Sequence, residues 1–222
     1  MSYIYLVITL GIAIIDWLAV VKKWQRTEYV TKPAVMIALI AWLLSEGGFQ
    51  GHLLWFTLGV IFSMAGDVFL MLPRDLFIPG LVSFLLAHLC YIVGINKTLP
   101  GFSLPGVILL VIVALTAVQI YRRVADSLKA KGLAKLRMPV LAYTCVISVM
   151  LLSALLTLVG TDWVTSAALA VSVGALLFFL SDAVLAWNKF VAPLPNGRII
   201  NITTYHLGQV GIVMGALLHF VN

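Results

Sequence analysis

The stretch Ser63-Met64-Ala65-Gly66-Asp67-Val68-Phe69-Leu70-Met71-Leu72 sets one carboxylate among residues that belong in hydrocarbon. An aspartate near the end of an apolar segment costs on the order of a few kcal/mol to insert, so it marks a side chain turned towards a bundle interior or a water-filled pocket. A second carboxylate, Asp182 in Leu180-Ser181-Asp182-Ala183-Val184-Leu185, has a similar setting 115 positions later. What surrounds these two residues decides the fold class.

Of 222 residues, 63% are hydrophobic and 10% charged, and the mean hydropathy is +1.13. Soluble domains carry roughly 25% charged residues. The composition predicts an all-α, polytopic membrane bundle, a single integral membrane domain over 1–222, with no length left for a soluble domain. Stretches of roughly 20 apolar residues span a bilayer as helices. Eight candidates fit: Tyr3 to Val21, Pro33 to Ser45, Leu53 to Leu72, Phe77 to Ile95, Leu104 to Tyr121, Pro139 to Val159, Trp163 to Trp187, and Ile199 to Phe220. The second is short, about 20 Å of helix against a core of roughly 30 Å, so extension at both ends or local thinning is expected. Thr31-Lys32-Pro33 opens it, with proline at a favoured first-turn position. Met1-Ser2-Tyr3-Ile4-Tyr5 lacks the basic start of a signal peptide, so the first span reads as a permanent helix.

Basic residues set the orientation. The odd-numbered loops hold 13 of the 14 lysines and arginines, and only Lys97 lies in an even one. By the positive-inside rule the odd loops are cytoplasmic and both termini lie on the non-cytoplasmic side. Asp67 and Asp182 then sit at the same level in the cytoplasmic half, with Asp16 similarly deep in the first span. The net charge of +6 does not indicate nucleic acid, because these cations occupy loops between spans rather than one solvated face. The bilayer is the expected partner, and the oligomeric state is not legible.

Helical spacing identifies packing faces. Gly59, Ser63, Gly66 and Asp67 form one small, polar stripe, Ala167, Ala170, Gly174 and Ser181 run near Asp182, and Gly208, Gly211 and Gly215 continue the pattern in the eighth span. Small stripes let helices approach closely in lipid, so spans three, seven and eight are expected to form the inner wall. The likeness of Gly66-Asp67-Val68-Phe69-Leu70-Met71 to Ser181-Asp182-Ala183-Val184-Leu185-Ala186 suggests a parallel duplication of two four-helix halves.

Two carboxylates at one depth in a low-dielectric pocket cannot both be comfortably ionised. One is expected to hold a proton near neutral pH, which makes an acid and a base from identical side chains. The same residues also fit a proton- or cation-coupled transporter, or structural ions. A zinc site needs three or four ligands at recognisable spacing, and His52, His88, His206 and His219 offer none. Cys90 and Cys145 lie in apolar spans without metal spacing and read as packing residues. Neither a Gly-x-Ser-x-Gly nucleophile motif nor a glycine-rich phosphate loop is present.

Several motifs occur in a defined order: Thr31-Lys32-Pro33, Gly66-Asp67-Val68-Phe69-Leu70-Met71-Leu72, Phe77-x-x-Gly80-Leu81-x-Ser83-Phe84-x-x-Ala87-His88-x-x-Tyr91, Tyr143, Ser181-Asp182 with Asn188-Lys189-Phe190, and Tyr205-x-x-x-Gln209. Together they resemble the YhhN-type lysoplasmalogenase family from the second span to the eighth. The resemblance implies eight helices in a bacterial inner membrane or, in animals, the endoplasmic reticulum. It also implies a lysophospholipid substrate, a lysoplasmalogen with an ethanolamine or choline headgroup. Hydrolysis of its vinyl ether would give a fatty aldehyde and glycerophosphoethanolamine or glycerophosphocholine, with no metal or organic cofactor. Asp67 and Asp182 carry over as catalytic residues. Lys32, His88, Tyr91, Tyr143, Asn188, Lys189, Tyr205 and Gln209 carry over as pocket residues; by their place at headgroup level Lys32, Lys189 and Arg198 suit either anchoring at the interface or a lipid phosphate. Asp16 belongs to none of these motifs.

Overall fold

The computed structural model describes residues 2–74, 76–97 and 103–221. These form eight long α-helices and no strand: α1 (Ile4–Lys22), α2 (Gln25–Ser45), α3 (Leu53–Met71), α4 (Phe77–Ile95), α5 (Leu104–Ala130), α6 (Arg137–Leu156), α7 (Thr165–Ala186) and α8 (Gly197–Phe220). A π-helical turn, Trp187–Val191, prolongs α7. The chain is therefore an all-helical, multi-pass membrane protein. The first seven helices are each long and apolar enough to cross a bilayer. Their outward faces carry large apolar residues such as Ile14, Leu18, Ile37, Val111 and Leu115.

Helix α8 differs for a physical reason. Its 24 residues reach about 36 Å, ample for a crossing, but Asn201, Thr203, Thr204, His206 and Gln209 lower its hydropathy. Of these, His206 and Gln209 are buried, Asn201 bonds to Ser181 of α7 and Thr204 bonds back to the Ile200 carbonyl of its own helix; α8 packs against α7, α1, α3 and α2.

Two boundaries differ from expectation. Helix α2 begins at Gln25, so Pro33 lies inside it rather than at its first turn. Proline has no N–H to give the carbonyl of Tyr29, four residues earlier. The added turns, Gln25 to Lys32, are polar, which hid them from hydropathy. Helix α5 continues to Ala130, so Arg122, Arg123 and Lys129 extend a helix rather than a loop. This extension has a partner: the Ser127 hydroxyl and Lys131 Nζ, at 2.7 Å, both donate to the Phe190 carbonyl and tie α5 to the π turn.

Close backbone approach defines the inner wall. A Cβ added to Gly174 would lie 2.5 Å from the Ile212 nitrogen, and one on Gly211 would lie 2.7 Å from the Gly174 Cα. The glycine stripe of α8 is therefore an intrachain contact with α7. In α3, Gly59 seats the Tyr91 ring and Gly66 the Phe84 ring of α4. The third and fourth helices of each half thus form its tightest pair. The Ser2 amide donates to Glu46 Oε1 at 2.8 Å, and Phe220 stacks on His52 at 5.3 Å. Both chain ends accordingly lie beside the α2–α3 connection, at the end opposite the basic connections. Cys90 is buried, whereas Cys145 faces outward from α6.

Candidate active site

Antiparallel order brings the last turns of α3 and α7 and the first turns of α2, α6 and α8 to one end of the bundle. Asp67 is 1% exposed there, 2.9 Å from Lys32 Nζ. The Tyr205 hydroxyl donates to its Oδ2 at 2.6 Å. A buried carboxylate is tolerated when paired and hydrogen-bonded, and α2 and α8 supply one partner each. Asp182 has different company. The Tyr143 hydroxyl donates to its Oδ2, and His88 Nε2 lies 2.9 Å from that hydroxyl and 3.5 Å from Oδ2. A phenol has one hydrogen, so with Asp182 ionised Tyr143 gives to the carboxylate and accepts from His88.

The two carboxylates line one polar chamber of ≈ 230 Å³, shared with Lys32, Tyr205, Ser181 and Asn201. Asp182 also lines a second, apolar groove of ≈ 70 Å³ between α4, α5, α6 and α7, walled by residues such as Leu81, Phe84, Val124, Tyr143, Ile147 and Phe179. Asp67 lines the chamber but not the groove. Helix α5 packs on α6 and the π turn, and Phe77 at the start of α4 packs against the cluster that holds Val124 and Leu128 of α5. The groove is too small for a whole fatty chain.

Among the expected pocket residues, Lys32, Tyr143 and Tyr205 touch the carboxylates directly, and His88 stands behind Tyr143. Tyr91 and Gln209 bond to each other, the Tyr91 hydroxyl donating to Gln209 Oε1 at 2.6 Å. Both are buried, and neither lines the chamber or the groove. Asn188 and Lys189 are not brought to the chamber either. Asn188 Oδ1 accepts from the Leu194 amide at 2.7 Å, which shapes the α7–α8 connection, and Lys189 lies over the Phe77 ring at 4.8 Å. Asp16 is fully buried and accepts from the Thr31 hydroxyl at 2.5 Å, so it helps fix the α2 turn that carries Lys32. Nearby, Trp17 Nε1 donates to His206 Nδ1 at 3.1 Å.

Glu28 escaped the sequence reading. It lies in the polar start of α2, outside the apolar window, yet it is buried in the chamber wall. Its four-residue offset from Lys32 is the signal that would have found it, because it puts both on one helical face. Among the described residues, no group of three or more His, Cys, Asp or Glu side chains is placed to hold a metal.

A model of the YhhN family matches residues 27–216. The chain is similar to lysoplasmalogenase TMEM86B of Homo sapiens, with 32% identity over 88% of this chain and 76% of the relative. The Mus musculus protein of the same name shows 29% identity over the same shares. Lysoplasmalogenase TMEM86A of Homo sapiens shows 28% identity over 72% of this chain and 63% of the relative. No solved structure matches.

Proposed function

The chain belongs to the YhhN family, and from that premise we propose that it is a membrane-embedded hydrolase of lysoplasmalogens. It cleaves their vinyl ether to a fatty aldehyde and a glycerophospho-alcohol, with Asp182 and Asp67 as the working carboxylates. The observation that carries this reading is that Asp182 lines both the polar chamber and the apolar groove. A lysoplasmalogen is polar at one end and apolar at the other, and its vinyl ether sits at the boundary. A substrate with its glycerol in the chamber and the start of its chain in the groove presents that bond to Asp182, while the rest of the chain extends towards lipid.

The surroundings of the carboxylates suggest their division of labour. Asp67, paired with Lys32, stays ionised. Asp182, beside the Tyr143 phenol and the His88 imidazole, is the proton carrier. Its proton adds to the alkenyl β-carbon, taking the C=C electron pair, and the ether oxygen shares the positive charge left on the α-carbon. The Asp67 carboxylate in the same chamber stabilises that cation. Water then adds to the α-carbon and returns a proton to Asp182. The hemiacetal collapses: its hydroxyl proton passes to the glycerol oxygen, that C–O bond breaks, and aldehyde and alcohol separate. His88 and Tyr143 keep Asp182 oriented through both proton transfers.

The assay is aldehyde release by purified protein from lysoplasmenylethanolamine and lysoplasmenylcholine in vesicles. Asp182→Asn is expected to lower the rate at least about 100-fold, the scale of general acid catalysis, without altering thermal unfolding. Paired intramembrane carboxylates also suit ion transport. A wild-type chain that releases no aldehyde from either lipid while moving protons across the vesicle membrane sinks the hydrolase reading in favour of transport.

A further inference from the structure

The hydrolytic step leaves a second pair of charges unused. Arg198, in the first turn of α8, places Nη2 2.6 Å from each carboxylate oxygen of Glu28 on α2. Both residues line the polar chamber and also an outer vestibule of ≈ 480 Å³ bounded by Val20, Lys23, Gln25 and Asn196. The pair therefore stands at the chamber's mouth. It is unequal: the Glu28 side chain is 11% exposed and the Arg198 side chain 63%. The carboxylate belongs to the wall, whereas the guanidinium has room to swing.

Charges alternate from the vestibule inward as Arg198, Glu28, Lys32 and Asp67. Among the described residues, Lys32 is the only other cation lining the chamber, and its ammonium is held by Asp67. Lys189 lies outside, over Phe77. An anionic group in the vestibule meets Lys23 and Arg198, of which Arg198 also lines the chamber, and once Arg198 turns to it the buried Glu28 carboxylate needs a new positive partner. A ligand carrying both an anion and a cation supplies both at once.

We propose that Glu28 and Arg198 form a subsite for a zwitterionic phosphoester headgroup, with Arg198 taking the phosphate and Glu28 the ammonium. The resting ion pair is exchanged for two new ones without a buried charge left alone. An anionic headgroup without an ammonium would instead strand Glu28, a repulsive element that sets specificity. This inference rests on the lysolipid reading above but concerns the headgroup, and it can be tested without bond cleavage.

The test measures binding of 1-O-alkyl-glycero-3-phosphoethanolamine, 1-O-alkyl-glycero-3-phosphate and 1-O-alkyl-glycerol to the full chain in nanodiscs. These saturated ethers have no vinyl group to hydrolyse. Wild-type protein is expected to bind the phosphoethanolamine at least about tenfold more tightly than the bare phosphate, the scale of one charge-assisted hydrogen bond. Glu28→Gln abolishes or reverses that preference. Arg198→Gln weakens both phosphoesters and leaves the alkylglycerol unchanged. Unfolding temperatures check that each variant is folded, and Glu28→Asp, which keeps the charge, restores part of the preference. A Glu28→Gln variant that keeps the wild-type preference, or loses affinity for all three ligands alike, overturns the subsite. If wild-type protein hydrolyses lysoplasmenylethanolamine while Glu28→Gln keeps its selectivity, the subsite falls and the hydrolase reading stands. If wild-type protein shows the binding preference but cleaves no vinyl ether, the reverse holds.

Discussion

Replacing Lys32 by methionine tests whether Asp67 is an ionised carboxylate held by a single cation. The substitution keeps an unbranched side chain as far as Cε and removes the charge 2.9 Å from Asp67, which is 1% exposed. Among the described residues, the Tyr205 hydroxyl then remains as its hydrogen-bond donor. Removing one member of a buried ion pair costs about 3–5 kcal/mol, chiefly because the other charge is left uncompensated. For a chain of this length that corresponds to a fall in unfolding temperature on the order of 10 °C. The double variant Lys32→Met/Asp67→Asn removes both charges and should recover to within about 1 kcal/mol of wild type, a strong non-additivity between contacting residues. Aldehyde release does not recover with stability, because the ionised Asp67 is itself required. Thermal unfolding in a mild detergent and the aldehyde assay together read the cycle. If Lys32→Met unfolds with wild type, or the double variant is no more stable than the single one, the ionised-pair account of Asp67 is wrong.

Two further outcomes follow from other parts of the bundle. Tyr143→Phe removes the donor to Asp182 and the link to His88 and should lower kcat about 10- to 100-fold with little change in KM, since a charge-assisted hydrogen bond contributes about 1.5–3 kcal/mol; a change confined to KM would mean that Tyr143 only binds substrate. Gly211→Ala forces a Cβ to 2.7 Å from the Gly174 Cα and should destabilise by about 1–3 kcal/mol, whereas Gly11→Ala in α1, where nothing lies within 4 Å, should be neutral or stabilising by up to about 1 kcal/mol, so equal unfolding temperatures for the two variants would contradict the α7–α8 packing.

Much of this protein is decided by the sequence alone. Hydropathy gives the number of long helices, because a backbone in hydrocarbon must satisfy its own hydrogen bonds and does so as a helix wherever apolar side chains run long enough. Alternation of helix direction puts Asp67 and Asp182 at one level, and the small residues beside them mark the faces that pack. These are properties of single segments. The polar first turns of α2 and the basic end of α5 escaped for the same reason, since a hydropathy window ends where charge begins although the helix does not. What only the tertiary structure decides is pairing, which depends on each helix's neighbours and its rotation about its own axis. It joins Asp67 to Lys32 and Tyr205, joins Asp182 to Tyr143 and His88, turns Tyr91 and Gln209 towards each other, leaves Asn188 and Lys189 outside the chamber, and sets Glu28 against Arg198 at its mouth. Contacts between residues as far apart as 28 and 198 are governed by the packing of whole helices, which no local pattern encodes.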